Sequence, residues 1–292
     1  MNNDEKEKLE LQQRKAWDKY RGCVRSRWNT SAINRMMANG SRWRLFWPRN
    51  LHNDMQNNIK NLQHKIQIQP LSNEEQQFAN AFMRNDFFVV HASDVNLINN
   101  PERNLLIYSR YRLQEKGIEF PTHHSSTQDI LGLGNDDYVF FSLEVGNTLQ
   151  KPFSLFGANF YRIPYKRENM AFRHSSMTLI DQINLNAPDG KMIEKISIRA
   201  REHLKCRAFL RENVHFCGID NCLEGLLYSI ILETRDLSRL SMKNDASLIL
   251  SARTDNEMNS VINGLFRPEI RVPRMLGIPS GSYQTVMNKR FL

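Results

Sequence analysis

The sequence LFRPEIRVPRML, residues 265–276, places a single carboxylate, Glu269, in a short segment bounded by Pro268 and Pro273. Each proline fixes its own φ angle and favours extended geometry in the residue before it. The segment is therefore predicted to form a short strand with Glu269 near its start. Because neither proline has the N–H group that a sheet ladder needs, an edge strand is favoured over a central one.

Glu269 is flanked by Arg267 and Arg271. A carboxylate held rigidly beside guanidinium groups stays ionised and can accept hydrogen bonds from a ligand. An exposed glutamate that pairs with neighbouring arginines has the same local sequence and needs no function. Both interpretations stay open until the other motifs of the chain are considered.

Composition places the chain among globular proteins. It has 292 residues, of which 40% are apolar, and its 40 Lys and Arg against 31 Asp and Glu give a formal net charge of +9. This is enough apolar material for a hydrophobic core. The chain starts with polar residues and has no long apolar run, so neither a signal peptide nor a membrane-spanning helix is expected. The spacing of its four cysteines favours reduced thiols, and no metal site is expected.

The positive charge is concentrated between residues 14 and 49, where all four tryptophans also lie. The densest part is RWRLFW, residues 42–47. Cations interleaved with large amphipathic rings suit an anionic membrane surface, an acidic groove of the calmodulin type, or nucleic acid. A helical subdomain with tryptophans in its core and solvated arginines explains the same composition, so these alternatives stay open.

The pattern along the chain mixes helices and strands. Residues 50–84 are predicted to be helical, with a break at Pro70 and a new start at Ser72, where Glu75 completes a capping box. Strands are predicted at 86–93, 138–145, 158–163 and 177–180, because these stretches are rich in β-branched and aromatic residues. Further helices are predicted at 193–211, 222–232 and 255–264.

The first predicted strand ends in His91-Ala92-Ser93. Residues two apart on a strand share a face, so the imidazole and the hydroxyl can together hold a ribose hydroxyl or an amide. A histidine whose ring is satisfied by nearby backbone is the structural alternative.

Five stretches carry a resemblance to a known family. In chain order they are DFFVVHAS (86–93), DYVFFSLE (137–144), FGANFYRI (156–163), MTLID (177–181) and FRPEIRVPRM (266–275). On these motifs the chain resembles the OspC family of type III secretion effectors. The resemblance implies an α+β fold with an ADP-ribosyltransferase-like split β-sheet core and a helical N-terminal extension. It also implies NAD as the substrate, a host protein as the acceptor, and secretion by a bacterial type III system into the host cell cytosol.

By position, the resemblance makes Glu269 the catalytic glutamate, with Arg271 beside it in the catalytic pair. His91 and Ser93 match the pair that holds NAD, and the other predicted cofactor-binding residues are Phe141, Phe156 and Gly157. A carboxylate next to the nicotinamide ribose can accept from its 2′-hydroxyl. It can also stabilise the positive charge that develops as the N-glycosidic bond breaks.

Two departures from the family pattern bear on the reaction. Members that convert an arginine into a cyclised, ADP-riboxanated product have Glu-Tyr-His where this chain has Glu269-Ile270-Arg271. They have Asp-Phe-Gly where it has Leu155-Phe156-Gly157. A guanidinium cannot act as a base, although it can bind a phosphate or orient an acceptor. Plain mono-ADP-ribosylation is therefore expected rather than cyclisation.

The chain is divided at residue 80 into a helical, basic, Trp-rich N-terminal region (1–80) and an ADP-ribosyltransferase-like catalytic domain (81–292). The repeats that recruit substrate in longer relatives are not expected, so the N-terminal region is the predicted dock for a substrate, or for a host activator such as calmodulin. The main alternative is a catalytically inactive effector of this fold that binds a host protein or membrane through the basic region. Nucleic acid binding is suggested by charge and tryptophan content alone and is not expected.

Overall fold

The computed structural model describes residues 49–121, 136, 138–147, 149–150, 154–173, 175–179, 188, 190–207, 211 and 213–287. Its helices are α1 (Arg49–Ile68), α2 (Asn73–Arg84), α3 (Arg110–Glu115), α4 (Ile198–Arg207), α5 (Ile219–Arg239), α6 (Lys243–Leu250) and α7 (Asp255–Leu265). Its strands are β1 (Phe87–Ser93), β2 (Leu105–Tyr108), β3 (Tyr138–Val145), β4 (Asn159–Pro164), β5 (Ser176–Thr178), β6 (His215–Cys217), β7 (Glu269–Pro273), β8 (Met275–Ile278) and β9 (Gln284–Met287). This mixture of helices and strands confirms the α+β prediction.

Seven strands form one antiparallel sheet in the order β6-β5-β7-β3-β1-β4-β9, and β2 pairs with β8 in a separate two-stranded sheet. The pairing of β1 with β3 ends at Val90 and Ser142. On its other side, β1 stays paired with β4 as far as Ser93 and Asn159. A gap between β1 and β3 therefore begins at His91.

The position of β7 corrects the prediction of an edge strand. Glu269 is its first residue, as predicted, but β7 lies between β5 and β3, where Glu269 pairs with Thr178 on one side and Ser142 on the other. The sheet accommodates both prolines because Pro268 precedes the strand and Pro273 ends it, beyond the last residue that pairs with β5. Proline is excluded from the middle of a ladder but tolerated at strand ends.

The two faces of the large sheet differ in chemistry. One face points into the hydrophobic core, and its residues Val89, Phe141, Met177 and Ile270 are each at most 2% exposed. Helices α1, α2 and α5 contribute to the same core with Ile59, Leu62, Phe78, Phe82, Leu226 and Ile230. Because side chains alternate along a strand, Glu269 and Arg271 lie on the opposite face from Ile270.

The N-terminal end of helix α2 is fixed both by its local capping residues and by an ion pair with a distant helix. The Ser72 hydroxyl accepts from the Glu75 N–H at 3.2 Å, and the Glu75 carboxylate accepts from the Ser72 N–H at 2.8 Å, which confirms the predicted capping box. The same carboxylate accepts from Nε and Nη2 of Arg235 on α5 at 2.7 and 2.8 Å. This buried ion pair joins residues on either side of position 80. The division of the chain at residue 80 stays a prediction.

The other predicted helices are present with different bounds: α4 is shorter than 193–211, and α5 is longer than 222–232. Helix α6 and strands β6, β8 and β9 were not predicted. In the part of the chain that the structure describes, no helix combines the length and the apolar character needed to cross a membrane.

Candidate active site

Glu269 and Arg271 form an ion pair within one strand. Glu269 Oε1 accepts hydrogen bonds from Arg271 Nε at 2.7 Å and from Arg271 Nη2. The Arg271 side chain is 1% exposed, whereas that of Glu269 is 26% exposed. The guanidinium carbon of Arg271 also lies 5.1 Å from the centre of the Phe140 ring on β3. The arginine is therefore the buried member of the pair, and the carboxylate is the member that faces solvent.

The chain forms this pair because Glu269 and Arg271 are two residues apart on a strand and so share a face. The pair is held between two neighbouring strands. Thr178 of β5, which is fully buried, faces Glu269 on one side, and Ser142 of β3 faces it on the other. The backbone of a central strand is hydrogen-bonded to a neighbouring strand on each side, so the Glu269 carboxylate is attached to a rigid support.

His91 lies in the gap between β1 and β3. Its Nδ1 is 2.9 Å from the carbonyl oxygen of Phe140, and its ring centre is 5.5 Å from that of Phe141. Because a carbonyl oxygen only accepts, Nδ1 carries the hydrogen. Burial lowers the pKa of His91, and the bond to Phe140 offsets this only in part. His91 is therefore neutral at pH 7, with Nε2 as a hydrogen-bond acceptor.

The Phe156-Gly157 turn packs directly against the end of β1. Gly157 has a φ of +136°, and a Cβ atom at this position would lie 2.1 Å from the backbone nitrogen of Asp94 and from the carbonyl carbon of Ser93. Asn159 reinforces the contact by donating to the carbonyl oxygens of Ser93 at 3.1 Å and Asp94 at 3.3 Å. The turn thus places Phe156, which is 54% exposed, close to the predicted NAD-holding residues.

Ser93 contributes a hydroxyl at the same place. Its Oγ accepts from the N–H of Val95 at 3.2 Å, which fixes the side chain and leaves its own hydrogen as a donor. Together, His91 and Ser93 offer one acceptor and one donor beside an exposed aromatic ring.

The two phenylalanines of β3 face opposite sides of the sheet. Phe141 is 2% exposed and packs edge-on against Phe172 in the core, with ring centres 6.0 Å apart. Phe140 is half-buried and faces Arg271 across the β3–β7 ladder. The structure therefore places Phe140, and not the predicted Phe141, on the face that carries Glu269. Sequence reasoning missed Phe140 because the choice between adjacent rings depends on the strand register.

The predicted residues fall into two groups. His91, Ser93 and Phe156-Gly157 meet at the end of β1, while Glu269 and Arg271 meet on β7, one strand beyond β3. Glu269 pairs with Ser142, which pairs with Val90, the residue before His91. With neighbouring strands about 4.8 Å apart, the Cα atoms of Glu269 and Val90 are roughly 10 Å apart. Because Val90 shares the Glu269 face, alternation along β1 places His91 and Ser93 on the opposite face, with Val89 and Phe141. The two groups therefore lie on opposite faces of the sheet, on either side of the gap between β1 and β3.

Other predicted features do not join this site. All of the basic, Trp-rich segment except Arg49 lies outside the described residues, so its role stays a prediction. Cavities of about 510 and 550 Å³ lie along α5, and no predicted site residue lines them. Among the described residues, no three His, Cys, Asp or Glu side chains are grouped so that they could hold a metal ion.

The arrangement suits chemistry at a sugar that develops positive charge. A solvent-facing carboxylate held on a rigid strand can accept a hydroxyl hydrogen bond and stabilise a cationic centre beside it. A neutral histidine acceptor and a serine donor can hold a ribose, and an exposed aromatic ring can stack on a nucleobase.

Comparison with known proteins supports a distant relationship. The chain is 24% identical over 229 residues to the arginine ADP-riboxanase OspC1 of Shigella flexneri. The alignment covers 72% of this chain and 45% of OspC1, so the chain spans less than half the length of that relative. No protein-family model matches the chain.

Proposed function

We propose that this chain is a type III secreted effector that transfers ADP-ribose from NAD to a side chain of a host protein. The observation that carries the proposal is the Glu269 carboxylate, which faces solvent on a central strand and is held by a buried guanidinium. The distant similarity to an ADP-riboxanase supports the same class of chemistry.

In the proposed reaction, the bond between nicotinamide and the ribose C1′ breaks and nicotinamide leaves with the bonding electrons. Glu269 accepts from the ribose 2′-hydroxyl and stabilises the positive charge at C1′. A nucleophilic atom of the acceptor side chain then bonds to C1′ and loses its proton to solvent or to a base.

The end of β1 is the proposed holding site for NAD. His91 Nε2 accepts from a ribose hydroxyl, the Ser93 hydroxyl donates to NAD, and the exposed ring of Phe156 stacks on a base. Phe140 takes the role that the sequence predicted for Phe141, because it shares a face with Glu269.

A single transfer without cyclisation fits this chain best. Cyclisation requires further proton removal after the first bond has formed. Arg271 is a permanent cation that is bonded to Glu269, and Leu155, which is 80% exposed, has no acidic group.

The proposal is tested with biotinylated NAD and eukaryotic lysate, with and without calmodulin, followed by mass spectrometry of the labelled protein. Glu269→Gln keeps the shape and removes the charge, so labelling is expected to fall roughly 100- to 1,000-fold. Glu102→Gln, at an exposed position, is the matched control and should label like the wild type. Wild-type labelling by Glu269→Gln would refute the role of Glu269. A folded wild type that labels nothing in either arm would support a binding effector without enzymatic activity.

A further inference from the structure

The Glu269–Arg271 pair has an asymmetry that decides which of its members meets a ligand. The guanidinium is 1% exposed, lies over the Phe140 ring, and directs both Nε and Nη2 to the same carboxylate oxygen, Oε1. The carboxylate is the exposed partner, at 26%. A substrate that approaches this face therefore meets Glu269 first, with Arg271 behind it.

Burial also explains why the guanidinium is strictly oriented. A buried cation loses its hydrogen bonds to water, and protein groups in fixed positions must replace them. A guanidinium donates in a planar fork, and the two donors Nε and Nη2 converge on Oε1, which fixes the position of that carboxylate oxygen. Ser176 of β5 faces Arg271 across the ladder and is fully buried, so the neighbouring strand closes that side.

We infer that Arg271 is a positioning residue that orients the Glu269 carboxylate and does not itself touch NAD or the acceptor. This inference rests on the proposed function and specifies how its key carboxylate is held. It replaces the two roles considered for Arg271 from the sequence, which were binding a phosphate and orienting an acceptor. Both of those roles need an exposed guanidinium.

A positioning role makes a specific kinetic expectation. Loss of the fork leaves Glu269 in place but poorly oriented, so turnover falls while NAD binding at the β1 end is preserved. For Arg271→Ala, kcat is expected to fall at least about 30-fold, with KM for NAD changed by less than about threefold. Arg267→Ala, an exposed arginine of the same stretch, is the matched control and should leave both constants unchanged.

Rescue distinguishes positioning from a general loss of structure. Millimolar guanidinium chloride should restore at least a tenth of the wild-type kcat to Arg271→Ala, and sodium chloride at the same ionic strength should restore none. Guanidinium should not restore Glu269→Gln. Arg271→Lys keeps the charge without the fork, so it covers the case in which the alanine variant does not fold. Wild-type kcat in Arg271→Lys would overturn the inference, as would a rise in the KM for NAD without a fall in kcat.

A stability measurement separates this inference from the proposed function. Unfolding midpoints in urea are compared for the wild type, Glu269→Gln, Arg271→Lys and the double variant. Coupled residues give a double variant whose midpoint loss is smaller than the sum of the single losses. If the wild type has no transferase activity but the midpoints are coupled, the proposed function fails and the pairing stands. If the losses add without coupling, Arg271 does not hold Glu269, whatever the activity.

Discussion

At the scale of single residues, His91 combines a proposed role in binding NAD with a cost in stability at acidic pH. Burial lowers its pKa in the folded protein below the value of about 6.5 in the unfolded chain. The unfolded chain therefore takes up a proton first as the pH falls, so the free energy of unfolding declines below about pH 6.5 until the folded form is protonated too.

Replacing His91 with glutamine should remove this pH dependence. The stability of the wild type relative to His91→Gln is expected to decline by up to about 1.4 kcal/mol per pH unit between roughly pH 6.5 and the lowered pKa of the folded form. Urea unfolding at several pH values measures this slope, and His64→Gln, at an exposed position on α1, is the control. If the free energy of unfolding of His91→Gln depends on pH as steeply as that of the wild type, the assignment of a lowered pKa to His91 is wrong.

Gly157 is the residue that brings the Phe156 turn against β1. Alanine at this position would combine a positive φ with a Cβ 2.1 Å from backbone atoms that cannot move independently. Gly157→Ala is expected to cost more than about 1 kcal/mol and to raise the KM for NAD, because the turn must move away from Ser93. Gly281→Ala shares the positive φ but meets no atom within 4 Å. Equal losses in the two variants, measured by thermal unfolding, would show that the contact with β1 is unimportant.

At the scale of elements, two adjacent residues of β3 point to opposite faces of the sheet. Phe141 points into the core, and Phe140 points to the face that carries Glu269, which is the proposed functional face. Phe141→Ala should cost about 3–5 kcal/mol, because it leaves a cavity in the core. Phe140→Ala should cost less and should mainly weaken the labelling reaction, since the ring lies under Arg271 on the Glu269 face. Thermal unfolding and NAD kinetics of the two variants make the comparison. A reaction that depends on Phe141 but not on Phe140, after allowance for folding, would reverse the assignment.

The same strands show what local sequence can predict. Strands β1, β3 and β4 are runs of β-branched and aromatic residues, and the capping box at Ser72 has a local signature, so all were predicted. The internal position of β7 was not predicted, because pairing partners lie far away in the chain and the two prolines suggested an edge. Strands β8 and β9 are four residues long and were missed for lack of a clear pattern. The motifs identified Glu269, His91 and Gly157 as candidate site residues. They did not predict that Arg271 would be buried against Glu269 or that Phe140 would share their face, because both depend on which residues of β3 and β7 pair.

At the scale of the whole molecule, the core crosses the predicted boundary at residue 80. Ile59, Leu62 and Phe78 are each at most 3% exposed and belong to the same core as the sheet. The Glu75 carboxylate is the partner of the buried Arg235 guanidinium on α5. Burial raises the pKa of Glu75, but the hydrogen bonds and charge of Arg235 and the hydrogen bonds from Ser72 together outweigh it, so the net pKa is lowered. The pair therefore adds stability above the carboxyl pKa of the unfolded chain, about 4.3, and loses it as the pH falls through the folded value.

A chain that begins at residue 81 should therefore fail to fold by itself. Each lost apolar side chain removes about 1.5–3 kcal/mol of burial, and unpairing Arg235 costs about 3–5 kcal/mol more. Together these losses match or exceed the 5–15 kcal/mol that stabilises a typical domain. The full chain with Glu75→Gln is the matched control, because it loses the ion pair alone and should still unfold cooperatively at a lower temperature. Far-UV circular dichroism on heating decides the outcome. A cooperative transition in the 81–292 chain would mean that the sheet carries its own core, and that α1 and α2 are accessories to it.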